Sequence, residues 1–350
     1  MLAASSKLTI DQSSKYLHPL SVAPMMDRTD RHCRYFLRQI SRRTLLYTEM
    51  VTSMAILNGD KQKLLGFDQA EQPLSLQIGG DNPQDLAKCA QIAEEFGYDE
   101  VNLNVGCPSS RVQSGNFGAC LMLQPEHVAA CIAAMMGATK LPITIKHRIG
   151  VDEVDSYAAL ANFVSIVSQT GCQRFSVHAR KAWLQGLSPK ENREIPPLRY
   201  DLVHQLKQDF PQLAIEINGG FTSLEQVQTQ LELVDAVMIG RAAYDNPYLL
   251  AAADRQIYGE STPPPSRQQI VAAMLPYIDH WVTSGGRLNS ITRHMLQLFH
   301  GQPGSRIWRR IITEQSVLPG AGTEVIEQAL SRTTQAEKAG LIPALTHKIF

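Results

Sequence analysis

No stretch of this sequence is apolar over the roughly 20 residues that a membrane-crossing helix requires, so insertion in a bilayer is not expected. Cysteine is sparse: six residues (Cys33, Cys89, Cys107, Cys120, Cys131, Cys172), with no C-x-x-C pair and no His/Cys cluster at zinc-ligand spacing. That excludes a disulfide scaffold and a structural metal site, and reads as reduced thiols in a cytoplasmic protein. Nothing at the N-terminus has the pattern of a cleaved signal peptide. Net charge is also absent, with 33 basic residues against 33 acidic ones over 350 residues. The balance hides an asymmetry: residues 260–350 carry nine Lys or Arg against six Asp or Glu, leaving 24 against 27 in the rest. A mildly basic tail on a mildly acidic body fits a tail that touches nucleic acid.

What is present is alternation. Eight short strand-like runs recur: PLSVAP from Pro19, TLLYTEM from Thr44, PLSLQIGG from Pro73, DEVNLNVG from Asp99, LPITIKHR from Leu141, RFSVHAR from Arg174, LAIEINGG from Leu213 and DAVMIGR from Asp235. Between most of them lie amphipathic segments such as Asn82 to Gly97, where Leu86, Cys89, Ala90 and Ala93 share a face. Strands alternating with helices imply a parallel sheet, and eight repeats match an α/β fold of the (β/α)8 TIM-barrel type; an open doubly wound sheet is the competing architecture. After Gly259 the segment ESTPPPSR reads as a linker. Beyond it the pattern is helical only, with Ile270, Met274, Ile278, Trp281 and Val282 on one stripe and Pro276 at an expected kink. We therefore expect a barrel domain over 1–259 and an all-helical domain over 260–350.

The active site of such a barrel lies at the C-terminal ends of its strands. The polar residues there are Asp27, Glu49, Gln77, Asn104, Cys107, Lys146, Arg148, His178, Arg180, Asn218, Gly219, Gly220, Gly240 and Arg241. The loops after strands seven and eight of this fold commonly bind phosphate through glycine N–H groups, which points to Asn218, Gly219, Gly220, Gly240 and Arg241. Lys146 admits three readings: a Schiff-base nucleophile, a cationic partner for a ligand atom, or a salt-bridged structural lysine. Lys146 and Arg148 share one side of their strand, so at least one should reach the mouth. Cys107 follows a strand end on a Gly-Cys-Pro turn. No histidine adjoins it in sequence to make it a thiolate, which favours a proton donor over a nucleophile.

Taken in order, APMMDRTDRHCR, LQIGG, NLNVGCPSSRVQSGNFGACLM, IKHRIG, HARKAWLQGLSPKENREIPPL, INGG and MIGRAAYDNP resemble the tRNA-dihydrouridine synthase family. The long HARKAWLQGLSPKENREIPPL segment and ITRHML…GQPGSRIWRR are similar to its A type, which acts on D-loop uridines 20 and 20a; the resemblance runs from about Pro19 to Arg310. It implies FMN, reduced by NADPH or NADH, and reduction of the C5=C6 bond of uracil in tRNA. By the same resemblance Pro24, Met25 and Met26 line the flavin, Gln77 and Lys146 bond its polar edge, and His178 sits near ring and substrate. Cys107 supplies the proton to C5 and Asn104 helps position the base. Contacts to tRNA are expected from Arg180, Lys181, Lys190, Asn192 and Arg193 on the loop after strand six, and from Arg293, Arg306, Arg309 and Arg310 on the tail. Trp308, between them, has a base-stacking reading and a core reading. No metal and no obligate protein partner is implied, and a monomer is expected. The competing functions are a flavin barrel acting on a free pyrimidine or an enoate, an aldolase using Lys146, and a non-catalytic tRNA-binding protein.

Overall fold

The computed structural model describes residues 18–340. Its strands are β1 (Leu20–Val22), β2 (Leu45–Tyr47), β3 (Val51–Thr52), β4 (Leu74–Gly79), β5 (Glu100–Val105), β6 (Ile143–Arg148), β7 (Arg174–His178), β8 (Ala214–Asn218) and β9 (Ala236–Ile239). They pair in parallel in the order β2-β1-β9-β8-β7-β6-β5-β4, and β2 pairs with β4 to close the ring. The eight strand-like runs are thus the eight staves of a TIM barrel.

The short β3 continues β2 rather than adding a stave. Tyr47 lies opposite Ser75 and Val51 opposite Ile78, so four steps on this strand meet three on β4. The extra residue makes a bulge after Thr48, whose N–H still bonds the Ser75 carbonyl at 3.0 Å, and interrupts the pairing over residues 49 and 50 at the rim. Around the barrel the helices follow their sequence signals. Pro83–Phe96 starts at the Asn82 cap, ends at Gly97 in the left-handed region (φ 84°) and buries Leu86, Cys89, Ala90 and Ala93.

The tail forms the helices Arg267–Thr283, Leu288–Met295, Ser305–Gln315 and Thr323–Gly340. The first opens with a Ser266–Gln269 capping box and contains Pro276. Trp308 is fully buried beside Phe299, and its indole N–H donates to the Met295 carbonyl at 2.9 Å. That removes the base-stacking reading, because a large ring with a single N–H is satisfied here inside the bundle.

The tail does not hang free of the barrel. Helix Leu288–Met295 packs on helix Arg31–Arg38 behind β1, Tyr35 stacks on Tyr277 at 3.8 Å, and Asp30 takes Arg293 at 2.5 Å and His294 at 3.0 Å. Ile270, Met274, Ile291 and Trp308 belong to the same buried cluster as the barrel strands. No helix among the described residues is long and apolar enough to cross a membrane.

Candidate active site at the barrel mouth

β5 delivers Cys107 to the mouth on a loop whose shape is fixed from below and behind. The Asn104 side-chain oxygen accepts the backbone N–H groups of Gly106 (3.2 Å) and Cys107 (3.0 Å). The Cys107 carbonyl takes the Ala119 N–H at 2.9 Å. Closure needs glycine at 118, which has φ 78° and where a Cβ would sit 2.6 Å from the Cys107 oxygen. Gln113 holds the Pro108 and Leu184 carbonyls at 2.9 and 2.8 Å, tying this loop to the one after β7. All six thiols are free. Burial pushes those of Cys89, Cys131 and Cys172 up to about 12, as expected of inert core thiols, whereas Cys107 is only half-buried.

Across the mouth stand Lys146, Arg148 and His178. The Lys146 ammonium donates to Asn218 Oδ1 at 3.3 Å and no carboxylate pairs with it among the described residues, so the salt-bridged structural reading falls away. Its burial, with Arg148 adding repulsion, pushes the pKa down to about 8. Arg148 is buried and acts as a brace: Nε donates to the Gly106 carbonyl at 2.9 Å, and Nη1 to the Lys181 and Asn192 carbonyls at 2.9 and 3.0 Å. Burial and the nearby Arg148, Lys146 and Arg180 cations hold the His178 pKa well below the usual range, so its imidazole is neutral, with one nitrogen donating and one accepting.

The glycines after β8 and β9 form a backbone cradle. Gly219 (φ 133°) and Gly220 (φ 77°) run against Leu198, which a Cβ would meet at 2.7 and 2.9 Å. At Gly240 a Cβ would point into open space, with Ala23 its nearest neighbour at 4.0 Å. Among the described residues the N–H groups of Gly219, Gly220, Gly240 and Arg241 have no protein acceptor. Such a surface suits a phosphate. The Arg241 guanidinium meets the Glu194 carboxylate at 2.6 Å. The Asn218 amide donates to the Met238 carbonyl (2.8 Å) and its oxygen accepts Lys146, so it positions the lysine and keeps one amide proton and one lone pair for a ligand. Pro24 and Met25 are half-buried beside the cradle at the end of β1, and Met26 is exposed. Gln77 is buried between Asn102 (2.9 Å) and Asn104 (2.9 Å), which leaves one amide proton and one lone pair for a ligand.

The basic candidates separate into two groups. Arg180 bonds the Glu194 and Pro196 carbonyls. Lys181 pairs with Asp155 at 2.8 Å over the Trp183 ring, and Arg293 pairs with Asp30. Lys190, Arg193, Arg306, Arg309 and Arg310 are exposed, and their side chains have no hydrogen-bond or ion-pair partner among the described residues. Asn192 corrects its expected role: it is fully buried, with Oδ1 accepting the Trp183 N–H (2.7 Å) and Nδ2 donating to the Trp183 (2.9 Å) and Leu187 (3.2 Å) carbonyls. It staples the loop and has nothing left for RNA. Where the tail meets the rim, a cleft of about 320 Å³ is lined by Asp30, Arg31, His32, Glu49, Lys63 and Trp281. Arg31 and His32 fall within the APMMDRTDRHCR segment without being expected there as site residues, and Lys63 lies outside every quoted segment.

The profile of the dihydrouridine synthase family matches residues 21–335. A tRNA-dihydrouridine(20/20a) synthase of Synechocystis is 61% identical over 95% of this chain and 98% of its own length. The proteins of that name from Vibrio cholerae (56%, over 91% and 97%) and Pseudomonas aeruginosa (55%, over 89% and 93%) are similar throughout. Among solved structures, a 2-naphthoyl-CoA reductase complex (TM-score 0.53, 10% identity, 67% of this chain and 49% of that one) shares the fold. So does an old yellow enzyme homologue from Zymomonas mobilis (TM-score 0.50, 12% identity, 72% and 92%). A profile spanning barrel and tail alike, with relatives this similar over their whole length, settles the matter: the chain belongs to the dihydrouridine synthase family.

Proposed function

We propose that this chain reduces the C5=C6 bond of uridines 20 and 20a in the D-loop of tRNA to 5,6-dihydrouridine, using FMN and NADPH, as a cytoplasmic monomer. The observation that carries the reading is the mouth itself. A reachable thiol on a braced loop stands at the end of β5, and a lysine cation, a neutral imidazole and a glycine phosphate cradle stand on β6 to β9.

The residues fit a phosphate-bearing flavin: Gly219, Gly220, Gly240 and Arg241 present unpaired N–H groups and an open surface for the phosphate, and Pro24 and Met25 border it. When bound, the flavin supplies C6 of the uracil with a hydride taken from NADPH. The chain's own residues handle the rest. Negative charge develops at C5 and O4 as the hydride arrives, and a hydrogen bond from neutral His178 stabilises it, while Gln77 and the Lys146 cation would bond the polar edge of the flavin. Cys107 transfers its thiol proton to C5, and the thiolate recovers a proton from solvent, so one hydride and one proton are added to the base. The uridine must be flipped out of the folded tRNA at a cost of a few kcal/mol. Phosphate contacts from Lys190, Arg193, Arg306, Arg309 and Arg310 offset this cost, the last three making the tail a tRNA-binding domain.

The test is spectroscopic. Purified protein should show flavin absorption that bleaches with NADPH and returns when unmodified tRNA is added without oxygen; colourless protein that cannot be reconstituted with FMN overturns the reading. Cys107→Ala should keep flavin and tRNA binding and lose about 10²- to 10⁴-fold in dihydrouridine formation.

A further inference from the structure

The barrel interior holds a chain of hydrogen bonds that runs from its floor to the Cys107 loop. On the floor, Glu100 Oε1 accepts three hydroxyls: Tyr47 (3.1 Å), Ser75 (2.8 Å) and Thr144 (2.9 Å). Thr144 Oγ1 in turn accepts Asn102 Nδ2 (2.9 Å), Asn102 Oδ1 accepts Gln77 Nε2 (2.9 Å), and Gln77 Oε1 accepts Asn104 Nδ2 (2.9 Å). Asn104 Oδ1 finally accepts the N–H groups of Gly106 and Cys107. Thr144, Asn102 and Gln77 are all at most 2% exposed, so a missing link leaves its neighbour away from bulk solvent.

The direction of this chain is forced at both ends. A hydroxyl has one proton, and Thr144 spends it on an oxygen that can only accept; Thr144 must then accept from Asn102, which turns the Asn102 amide so that its oxygen faces Gln77. At the top, two backbone N–H groups demand an oxygen, which turns Asn104 so that its NH₂ faces Gln77. The two demands meet at Gln77 and agree. Reversing any one amide would set two donors or two acceptors against each other in a buried site.

We propose that Glu100, Thr144 and Asn102, which lie below the mouth, are positioning residues for the proton transfer: they fix the orientation of Gln77 and Asn104 and, through Asn104, the place of the Cys107 thiol. This rests on the reading of Cys107 as proton donor. The chain also accounts for polar residues at alternate positions of strands that otherwise read as apolar: Glu100, Asn102 and Asn104 on β5, and Gln77 on β4.

Two substitutions at one position separate positioning from packing. Thr144→Val keeps the shape and removes the hydroxyl; Thr144→Ser keeps the hydroxyl and removes a methyl group. In the full-length flavin-loaded protein, Thr144→Val should lower kcat about tenfold at unchanged KM for tRNA and change the rate of Cys107 alkylation by iodoacetamide at least about threefold, while Thr144→Ser should stay within about twofold on both. The proposal is overturned if Thr144→Val leaves both readouts unchanged, or if Thr144→Ser is as impaired as Thr144→Val. Should Thr144→Val not fold, Asn102→Ala breaks the same chain one link higher and must produce the same loss of kcat and the same change in alkylation, or the proposal fails. Alkylation needs no turnover, so a protein that makes no dihydrouridine would refute the function proposed above while still testing the chain.

Discussion

Inside the barrel, Arg174 is buried and held by Glu216 at 2.8 Å and Glu100 at 3.8 Å, and Glu216 also accepts the Ser21 and Ser176 hydroxyls. On the helix Ser305–Gln315, Arg306, Arg309 and Arg310 stand in solvent with no partner among the described residues, while Trp308, Ile311 and Ile312 face the core. Removing an ion from water costs several kcal/mol, so the barrel tolerates charge only where partners and hydroxyls surround it. This helix carries its charge at almost no cost and gains almost no stability from it. Residues 306, 309 and 310 share a helix face at i, i+3, i+4 spacing, and folding gives no reason for three like charges there. The contrast separates charge the fold depends on from charge available to a ligand.

The largest expected effect breaks the buried side of that contrast. Glu216→Ala strands the Arg174 guanidinium and should cost about 3–5 kcal/mol in chemical denaturation, against about 0.5 kcal/mol or less for Arg309→Ala. Equal losses would erase the distinction. Lys146 lies between the two extremes, half-buried and without a carboxylate partner. With its pKa held near 8, the rate of any step that needs its cation should fall about tenfold per pH unit above that value. Stability must move the other way. The unfolded lysine titrates near 10.5, so between pH 8 and 10.5 the unfolded chain binds more protons and folding becomes more favourable as pH rises, with the full penalty present below pH 8. A pH–rate profile and melting curves against pH, compared with Lys146→Met, check both signs; a rate that is flat across this range removes Lys146 from the chemistry.

The sequence made the barrel legible because apolar runs, caps and glycine stops mark each stave and helix locally. The residues Leu86, Cys89, Ala90 and Ala93 follow from 3.6-residue spacing alone, and they are the ones buried. The bulge after Tyr47 is not legible, since nothing in TLLYTEMVT marks the extra residue by which its pairing with β4 shifts between Tyr47–Ser75 and Val51–Ile78. Single roles failed where a side chain's partner is remote in sequence. Asn192 reads like its neighbours Lys190 and Arg193 until Trp183 and Leu187 fold over it, and Arg148 looks like a mouth residue until three backbone carbonyls close on it. The turn after β8 is more legible, because Gly219 and Gly220 stand at φ 133° and 77°, a backbone region that favours glycine and so leaves its trace in the sequence itself.

The smallest effect is the sharpest probe of the exposed side. Each phosphate contact made by an arginine contributes about 0.7–0.9 to the slope of log affinity against log salt concentration. If Arg306, Arg309 and Arg310 each meet one, replacing all three by alanine should reduce that slope by about 2–3 while leaving the melting curve unchanged. Arg293 supplies the control. It lies on the same tail, but its guanidinium is held by Asp30 at 2.5 Å, so Arg293→Ala should loosen the junction with the barrel and leave the salt slope alone. Titrating unmodified tRNA at several salt concentrations gives both values. A slope that falls for Arg293→Ala and not for the triple variant would mean that tRNA displaces Asp30 at the junction and that the cationic face of Ser305–Gln315 looks elsewhere.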